Sequence, residues 1–316
     1  MTPFAFVFPG QGSQAVGMLD GWGDHPAVTQ TVREASDALG EDLGLLIKEG
    51  PKEALALTTN TQPVMLVAGV AAYRAWLHEG GPLPAAVAGH SLGEYSALVA
   101  AGVLRLADAV PLVRLRAAAM QEAVPVGQGA MAAILGMDAS RVAEGCREAL
   151  AGFPPGSGEV VEAVNFNDPA QTVIAGSKAA VEKACEVLKA NGAKRALQLP
   201  VSAPFHSSLM QPAAEKLRER LAQLELGRPV IDLVNNIDVA VQTDPDAIRD
   251  ALYRQAFGPV RWVECVRALG ARGLTTVIEC GPGKVLAGMT KRIDPALATA
   301  SVYDPATLAE ARQLLA

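Results

Sequence analysis

A serine hydroxyl becomes a nucleophile when a tight turn exposes it and a base takes its proton. In this 316-residue sequence Ser91 stands in Gly89-His90-Ser91-Leu92-Gly93, a G-x-S-x-G pattern between an apolar run and a helical pattern. The strand-to-helix turn such a pattern makes is so tight that its flanks must be small, and both flanks are glycine. The turn lifts the hydroxyl above a sheet. The helix start that follows offers unpaired backbone N–H groups and the positive end of a dipole. Such groups hold a developing oxyanion, and losing one donor costs about 3 kcal/mol. The Leu92 N–H is the obvious donor. A second is expected from the backbone of Gln11, in Gly10-Gln11-Gly12-Ser13-Gln14, where two glycines allow close backbone approach. That loop is neither a Walker loop nor a dinucleotide turn.

Four histidines are candidates for the base. His25 lies in a polar stretch beside Pro26 and reads as surface. His78 ends a helical pattern, where an imidazolium near the C-terminal dipole has a structural explanation. His90 is adjacent to Ser91 and points elsewhere at an elbow, so it reads as a site-lining residue. His206 lies in a Pro- and Ser-rich loop, Pro200 to Ser208, before a helix, which suits an ordered site. No carboxylate stands out as the third member of a triad. Asp232, Asp238 and Glu279 stay open, and an amide carbonyl orienting the imidazole would give a Ser–His dyad instead. Arg114 and Arg116 share one apolar helix. Either could hold a substrate carboxylate by a two-pronged contact.

Something must position these groups. Residues 4–8 read as a buried strand closed by Pro9-Gly10, 64–78 as a buried helix, and 85–88 as the strand that runs into the elbow. Helices are expected at 92–101 and 106–123. Strand, sharp turn and helix make a doubly wound α/β domain with a parallel sheet. The character changes at Gly127-Gln128-Gly129. Strand 130–135, helix 140–150, strands 160–165 and 172–175, helix 178–190 and strand 196–199 give the order β-α-β-β-α-β, a ferredoxin-like split. Residues 128–197 are therefore expected to form a small domain inserted into a large one made of 1–127 and 198–316. The large domain resumes with helix 212–224, strand 230–234, helices 246–256 and 260–270, strand 275–279, helix 284–292, strand 300–303 and a last helix.

Half the residues are hydrophobic and 19% are charged, enough for a sizeable core and too little charge for disorder. A net charge of -6 and the lack of a dense Lys/Arg run give no case for nucleic acid. Cys146, Cys185, Cys265 and Cys280 show no CxxC or CxxH spacing, so no metal is expected and a reducing compartment is. The start of the chain reads as a strand and no apolar stretch is long enough to span a membrane, so the expected location is the cytoplasm.

These pieces, taken with Phe8-Pro9-Gly10-Gln11-Gly12-Ser13-Gln14, Glu94-Tyr95 after the elbow, Arg116 before Met120-Gln121, and Asn165-Phe166-Asn167, resemble the malonyl-CoA:acyl-carrier-protein transacylase family. So do Pro200-Val201-Ser202 through His206, Val234-Asn235-Asn236, Arg254-Gln255 and Gly281-Pro282-Gly283-Lys284. The resemblance covers essentially the whole chain. It implies an α/β-hydrolase-like core with a ferredoxin-like insert. It also implies transfer of malonyl from malonyl-CoA to the phosphopantetheine thiol of acyl carrier protein, by ping-pong, with no bound cofactor. It makes Ser91 the nucleophile, His206 the base, Arg116 the carboxylate clamp, and Gln11 and Leu92 the oxyanion donors. The Gln255 backbone carbonyl would orient His206, so a missing acid is expected. Asn165 and Phe205 would line the site with His90. In related polyketide acyltransferases Phe before the histidine goes with malonyl, and here that residue is Phe205. A polyketide-pathway acyltransferase, an esterase or thioesterase, and a non-catalytic docking module are the rival readings. The chain is expected to act as a monomer. The acidic carrier would need a local basic patch, either Lys284, Lys291 and Arg292 or Lys189, Lys194 and Arg195.

Overall fold

A computed structural model of the chain describes residues 2–201 and 203–316; Met1 and Ser202 lie outside the described residues. In chain order the elements are β1 (Phe4–Phe8), α1 (Pro26–Leu39), α2 (Leu43–Glu49), α3 (Lys52–Ala56), α4 (Thr58–His78), β2 (Ala86–Gly89), α5 (Gly93–Ala100) and α6 (Leu106–Glu122). Next come β3 (Gly129–Leu135), α7 (Ala139–Ala151), β4 (Val161–Asp168), β5 (Gln171–Ser177), α8 (Lys178–Ala190) and β6 (Arg195–Gln198). The chain closes with α9 (Gln211–Leu221), β7 (Asp232–Val234), α10 (Pro245–Ala256), α11 (Trp262–Ala271), β8 (Thr276–Cys280), α12 (Val285–Ile293), β9 (Ala298–Val302) and α13 (Pro305–Leu315).

The first sheet runs β7-β2-β1-β8-β9, and every pairing in it is parallel. β1 is central and buried along its whole length. Helices cover both faces of such a sheet, so its strands are continuous apolar runs rather than alternating ones. Phe4, Phe6, Tyr73 and Trp76 form the aromatic contact between β1 and α4, with edge-on rings 5.2 Å apart at Phe6–Trp76. α4 is buried almost all round, as its run of Val, Ala, Leu and Met around Gly69 requires.

The second sheet runs β4-β5-β3-β6 with antiparallel pairings throughout. Helices α7 and α8 pack on it over a separate core that includes Ile134, Val142, Ile174, Val181 and Leu188. Taken in chain order this is strand, helix, strand, strand, helix, strand.

Element boundaries differ from the sequence expectation in instructive places. The helix expected from residue 260 begins at Trp262, because Val260 is occupied by β4: its N–H donates to Val164 and its carbonyl accepts from Phe166, at 2.8 and 3.0 Å. The strand expected at 230–234 is shortened to Asp232–Val234, with Val230 exposed and its N–H bonded to Ala101 instead. Helices α1 to α3 had no counterpart in the sequence reading. All four cysteines are unpaired and buried. Among the described residues no helix is long and apolar enough to cross a membrane.

Candidate active site

The elbow follows β2. Ser91 has φ 52°, the left-handed region that side chains rarely enter. A Cβ at Gly89 would fall 1.9 Å from the Gly93 carbonyl carbon, and one at Gly93 would fall 2.0 Å from the Phe8 carbonyl oxygen. Both glycines are therefore sterically required. Asn236, two residues after β7, clamps the turn from both sides. Its Oδ1 accepts from the Ser91 N–H at 2.8 Å and its Nδ2 donates to the Gly89 carbonyl at 2.7 Å. The Ser91 N–H is thus spent. Among the described residues the backbone N–H groups of Gln11 and Leu92 have no acceptor, which fits the oxyanion role. Gly10 lets the Gln11 loop lie against the elbow, since a Cβ there would sit 2.6 Å from the His90 carbonyl oxygen.

His206 Nε2 lies 2.6 Å from Ser91 Oγ, and its Nδ1 lies 2.9 Å from the Gln255 backbone carbonyl. A carbonyl can only accept, so Nδ1 carries the proton and Nε2 is free to take one from Ser91. The Gln255 side chain does more than the sequence suggested. Its Nε2 donates to the Ser91 carbonyl at 3.0 Å and to Glu94 Oε2 at 3.1 Å, and its Oε1 accepts from Arg116 at 3.1 Å. One residue of α10 therefore ties nucleophile, base and arginine together. Glu94 Oε2 also accepts the Asn236 N–H at 2.9 Å.

Arg116, on α6, is 1% exposed. It donates to Gln62 Oε1 at 2.8 Å, to Gln255 Oε1 and to Ser91 Oγ at 3.2 Å, and it lies over the Tyr95 ring. None of these partners is a carboxylate, and its Nε has no partner at all. Burying a guanidinium without an anion is costly, so the arrangement is an incomplete ion pair. Arg114 settles the other way, bonded to Glu41 at 2.6 Å on the outer face.

Burial, with the nearby Arg116 charge second, pushes His206 down to about 3. It is neutral at ordinary pH, as a proton acceptor must be. Burial likewise lowers His90, whose Nε2 meets Asn167 Oδ1 at 2.8 Å, and pushes Glu94 up to about 7.

A cleft opens above Ser91 between the two sheets. Gln11, His90, Leu92, Arg116, Asn165, Phe205 and His206 all line it, so the sequence candidates converge on one place. The Asn165 Oδ1 is buried without a partner and offers an acceptor to a ligand. The acids left open are elsewhere. Asp238 is paired with Arg254 at 2.7 Å, Asp232 is exposed at the sheet edge, and Glu279 binds the N-terminal turn of α12 at Ala287 N. Gln62, Glu94, Asn167 and Asn236 do positioning work to which the sequence reading gave no role. Gln62 gave no signal beyond a polar residue in an apolar helix. Arg292 is not a free member of a basic patch: it pairs with the buried Asp168 of β4 at 2.7 Å.

The acyl transferase domain family matches residues 5–306. The malonyl CoA-acyl carrier protein transacylase of Escherichia coli K12 is 54% identical over 315 residues, 99% of this chain and 100% of that protein. The Bacillus subtilis transacylase of the same name is 46% identical over 316 residues, 100% of this chain and 98% of its own. Among solved structures, the acyl-carrier-protein S-malonyltransferase of Burkholderia pseudomallei 1710b is 64% identical with a TM-score of 0.96, covering 99% of this chain and 100% of that one. A malonyl-transacylase solved in complex with a type II polyketide acyl-carrier protein is 50% identical with a TM-score of 0.95, at 99% and 100% coverage. The chain is an acyltransferase and belongs to the malonyl-CoA:acyl-carrier-protein transacylase family.

Proposed function

We propose that this acyltransferase moves malonyl from coenzyme A to the phosphopantetheine thiol of an acyl carrier protein through an ester on Ser91. The observation that carries the reading is Arg116: a buried guanidinium beside the nucleophile, held by two amides and a hydroxyl and lacking a carboxylate. An acyl group with a free carboxylate one carbon from its thioester supplies the missing anion. Acetyl does not. The names of the relatives agree with this choice of acyl group.

Ser91 Oγ attacks the thioester carbonyl as His206 Nε2 takes its proton. The carbonyl oxygen becomes anionic against the N–H groups of Gln11 and Leu92. Collapse breaks the carbon–sulfur bond, and His206 returns the proton to the departing CoA thiolate. The carrier thiol then repeats the sequence in reverse on the ester, giving ping-pong kinetics. Arg116 has a second effect here. Its charge is one cause of the depressed His206 pKa. A malonyl carboxylate bound to it cancels that charge, so the substrate itself makes His206 a better base.

The same reading divides the chain into a large unit, 1–127 and 198–316, and a small one, 128–197. The separate sheet and core of the latter support the division. It also places the chain in the cytoplasm, which four buried, unpaired cysteines suit. The test is mass spectrometry after exposure to malonyl-CoA and to a panel of other acyl-CoAs. One malonyl is expected on Ser91, none on Ser91→Ala, and the adduct discharges to carrier thiol. Hydrolysis to free malonate without transfer would overturn the proposal in favour of a thioesterase.

A further inference from the structure

Far from the cleft, the ends of α1 and α4 bring together three metal-ligand side chains that the active site does not use. His25 is the residue before α1; His78 and Glu79 close α4. His25 Nε2 and His78 Nδ1 each lie 3.2 Å from the same atom, Glu79 Oε1. The donor atoms of all three residues fall within 4.8 Å of one another, and no other group of this kind occurs among the described residues. Two imidazole nitrogens and one carboxylate oxygen suit borderline divalent ions. Ligand bonds of roughly 2.0–2.1 Å at near-tetrahedral angles put neighbouring donors about 3.3 Å apart. Both nitrogen–oxygen separations, at 3.2 Å, are already close to that value.

We propose that His25, His78 and Glu79 bind one divalent transition-metal ion of the zinc class, with the fourth position open to water. The ligands are held in place before any ion arrives. Pro26 restricts the backbone at His25, whose ring packs between Trp22 and His78 with centroids 5.6 and 5.0 Å away. The buried body of α4 fixes the other two. His25 Nδ1 has no hydrogen-bond partner, so no bond on that side ties the ring to the tautomer that would protonate Nε2. The ion displaces the protons now shared between each imidazole and the carboxylate.

It lies outside the transfer chemistry. His78 is 16 residues beyond Gln62 on the same helix, about 24 Å at 1.5 Å per residue, so the ion stays clear of Ser91. It would clip α1 to α4 at a corner that α13 also reaches, since Arg312 donates to the Glu79 backbone carbonyl. Ligand spacing could not reveal the site, because its donors come from two helices and positions 25 and 78–79.

The experiment uses the full chain, stripped with chelator and titrated with Zn2+, with Co2+ as a spectroscopic probe. One equivalent should bind, Tm should rise with the logarithm of free Zn2+, and acyl transfer should be unchanged. His78→Ala and Glu79→Ala alter half-exposed side chains and should fold normally. Each should weaken binding by at least roughly 100-fold, since a lost ligand costs more than a lost outer partner, and move the onset of the Tm shift to correspondingly higher free Zn2+. The absence of a stoichiometric ion would overturn the proposal. So would equal binding in both variants, or binding that inhibits transfer, which would place the ion on the Ser91–His206 pair.

Discussion

Arg116 and Glu94 are ionisable groups buried around one nucleophile with no direct bond between them; Gln255 stands between, bonded to both. Each therefore keeps a separate task. Arg116→Ala should reduce malonyl transfer by about 2–5 kcal/mol, the range for a desolvated charge partner, while acetyl transfer is spared or improved. Steady-state kinetics with both acyl-CoAs checks this, and equal losses would make Arg116 merely structural. Glu94 sits at about 7 against an ordinary 4.5, raised by burial. Between those values the folded chain holds a proton the unfolded chain has lost. Its stabilising contribution is complete below 4.5 and fades as pH rises through 7. His206 acts oppositely, since between about 3 and 6.5 the unfolded chain binds the extra proton. The two trends mask each other in the parent protein. Subtracting the Tm of Glu94→Gln isolates the first: the difference should move in the variant's favour from pH 5 to pH 8. Ser91 and His206 can be picked out as candidates because the elbow pattern around Ser91 is distinctive and only four histidines compete for the base role. Gln62 and Asn236 cannot, because amides are common and theirs acquire meaning only from partners 54 and 145 residues away.

The elements show the same division. Long apolar helices and the strand before the elbow announce themselves by composition, and α8 has the bounds its pattern implies, residues 178–190. α1 is hard to read from the pattern because its buried stripe is Ala27, Val28, Thr31 and Ala35, small side chains with little contrast to their neighbours. Yet its ends were marked, by His25-Pro26 at the start and by Gly40 at φ 71° as a left-handed cap. The loop after β1 offers a test at this scale. Gly10→Ala should push the Gln11 N–H away from Ser91 through the contact with the His90 carbonyl. The expected result is a kcat loss of about 10²–10³-fold, as for a missing oxyanion donor, with secondary structure intact by circular dichroism. Unchanged kcat would remove Gln11 from the oxyanion site.

At the scale of the whole molecule, the second sheet is tied to the first beside the cleft, by β4 bonding to Val260, His90 to Asn167, and Arg292 to Asp168. Losing Arg292 to that joint leaves Lys284 and Lys291 as the cationic pair of the groove between α12, β9 and α13, with Lys284 Nζ over the Tyr303 ring. If an acidic carrier docks there, Lys284→Glu with Lys291→Glu should raise its KM and flatten the salt dependence, with a smaller change for malonyl-CoA. An unchanged carrier KM would move docking elsewhere, with Lys189, Lys194 and Arg195, around β6, the next surface to test. The buried cysteines bear on the same chemistry. Burial pushes the Cys146 thiol up to about 12 and raises Cys185, Cys265 and Cys280 as well. A member of a family that handles thioesters thus exposes no thiolate of its own to intercept them.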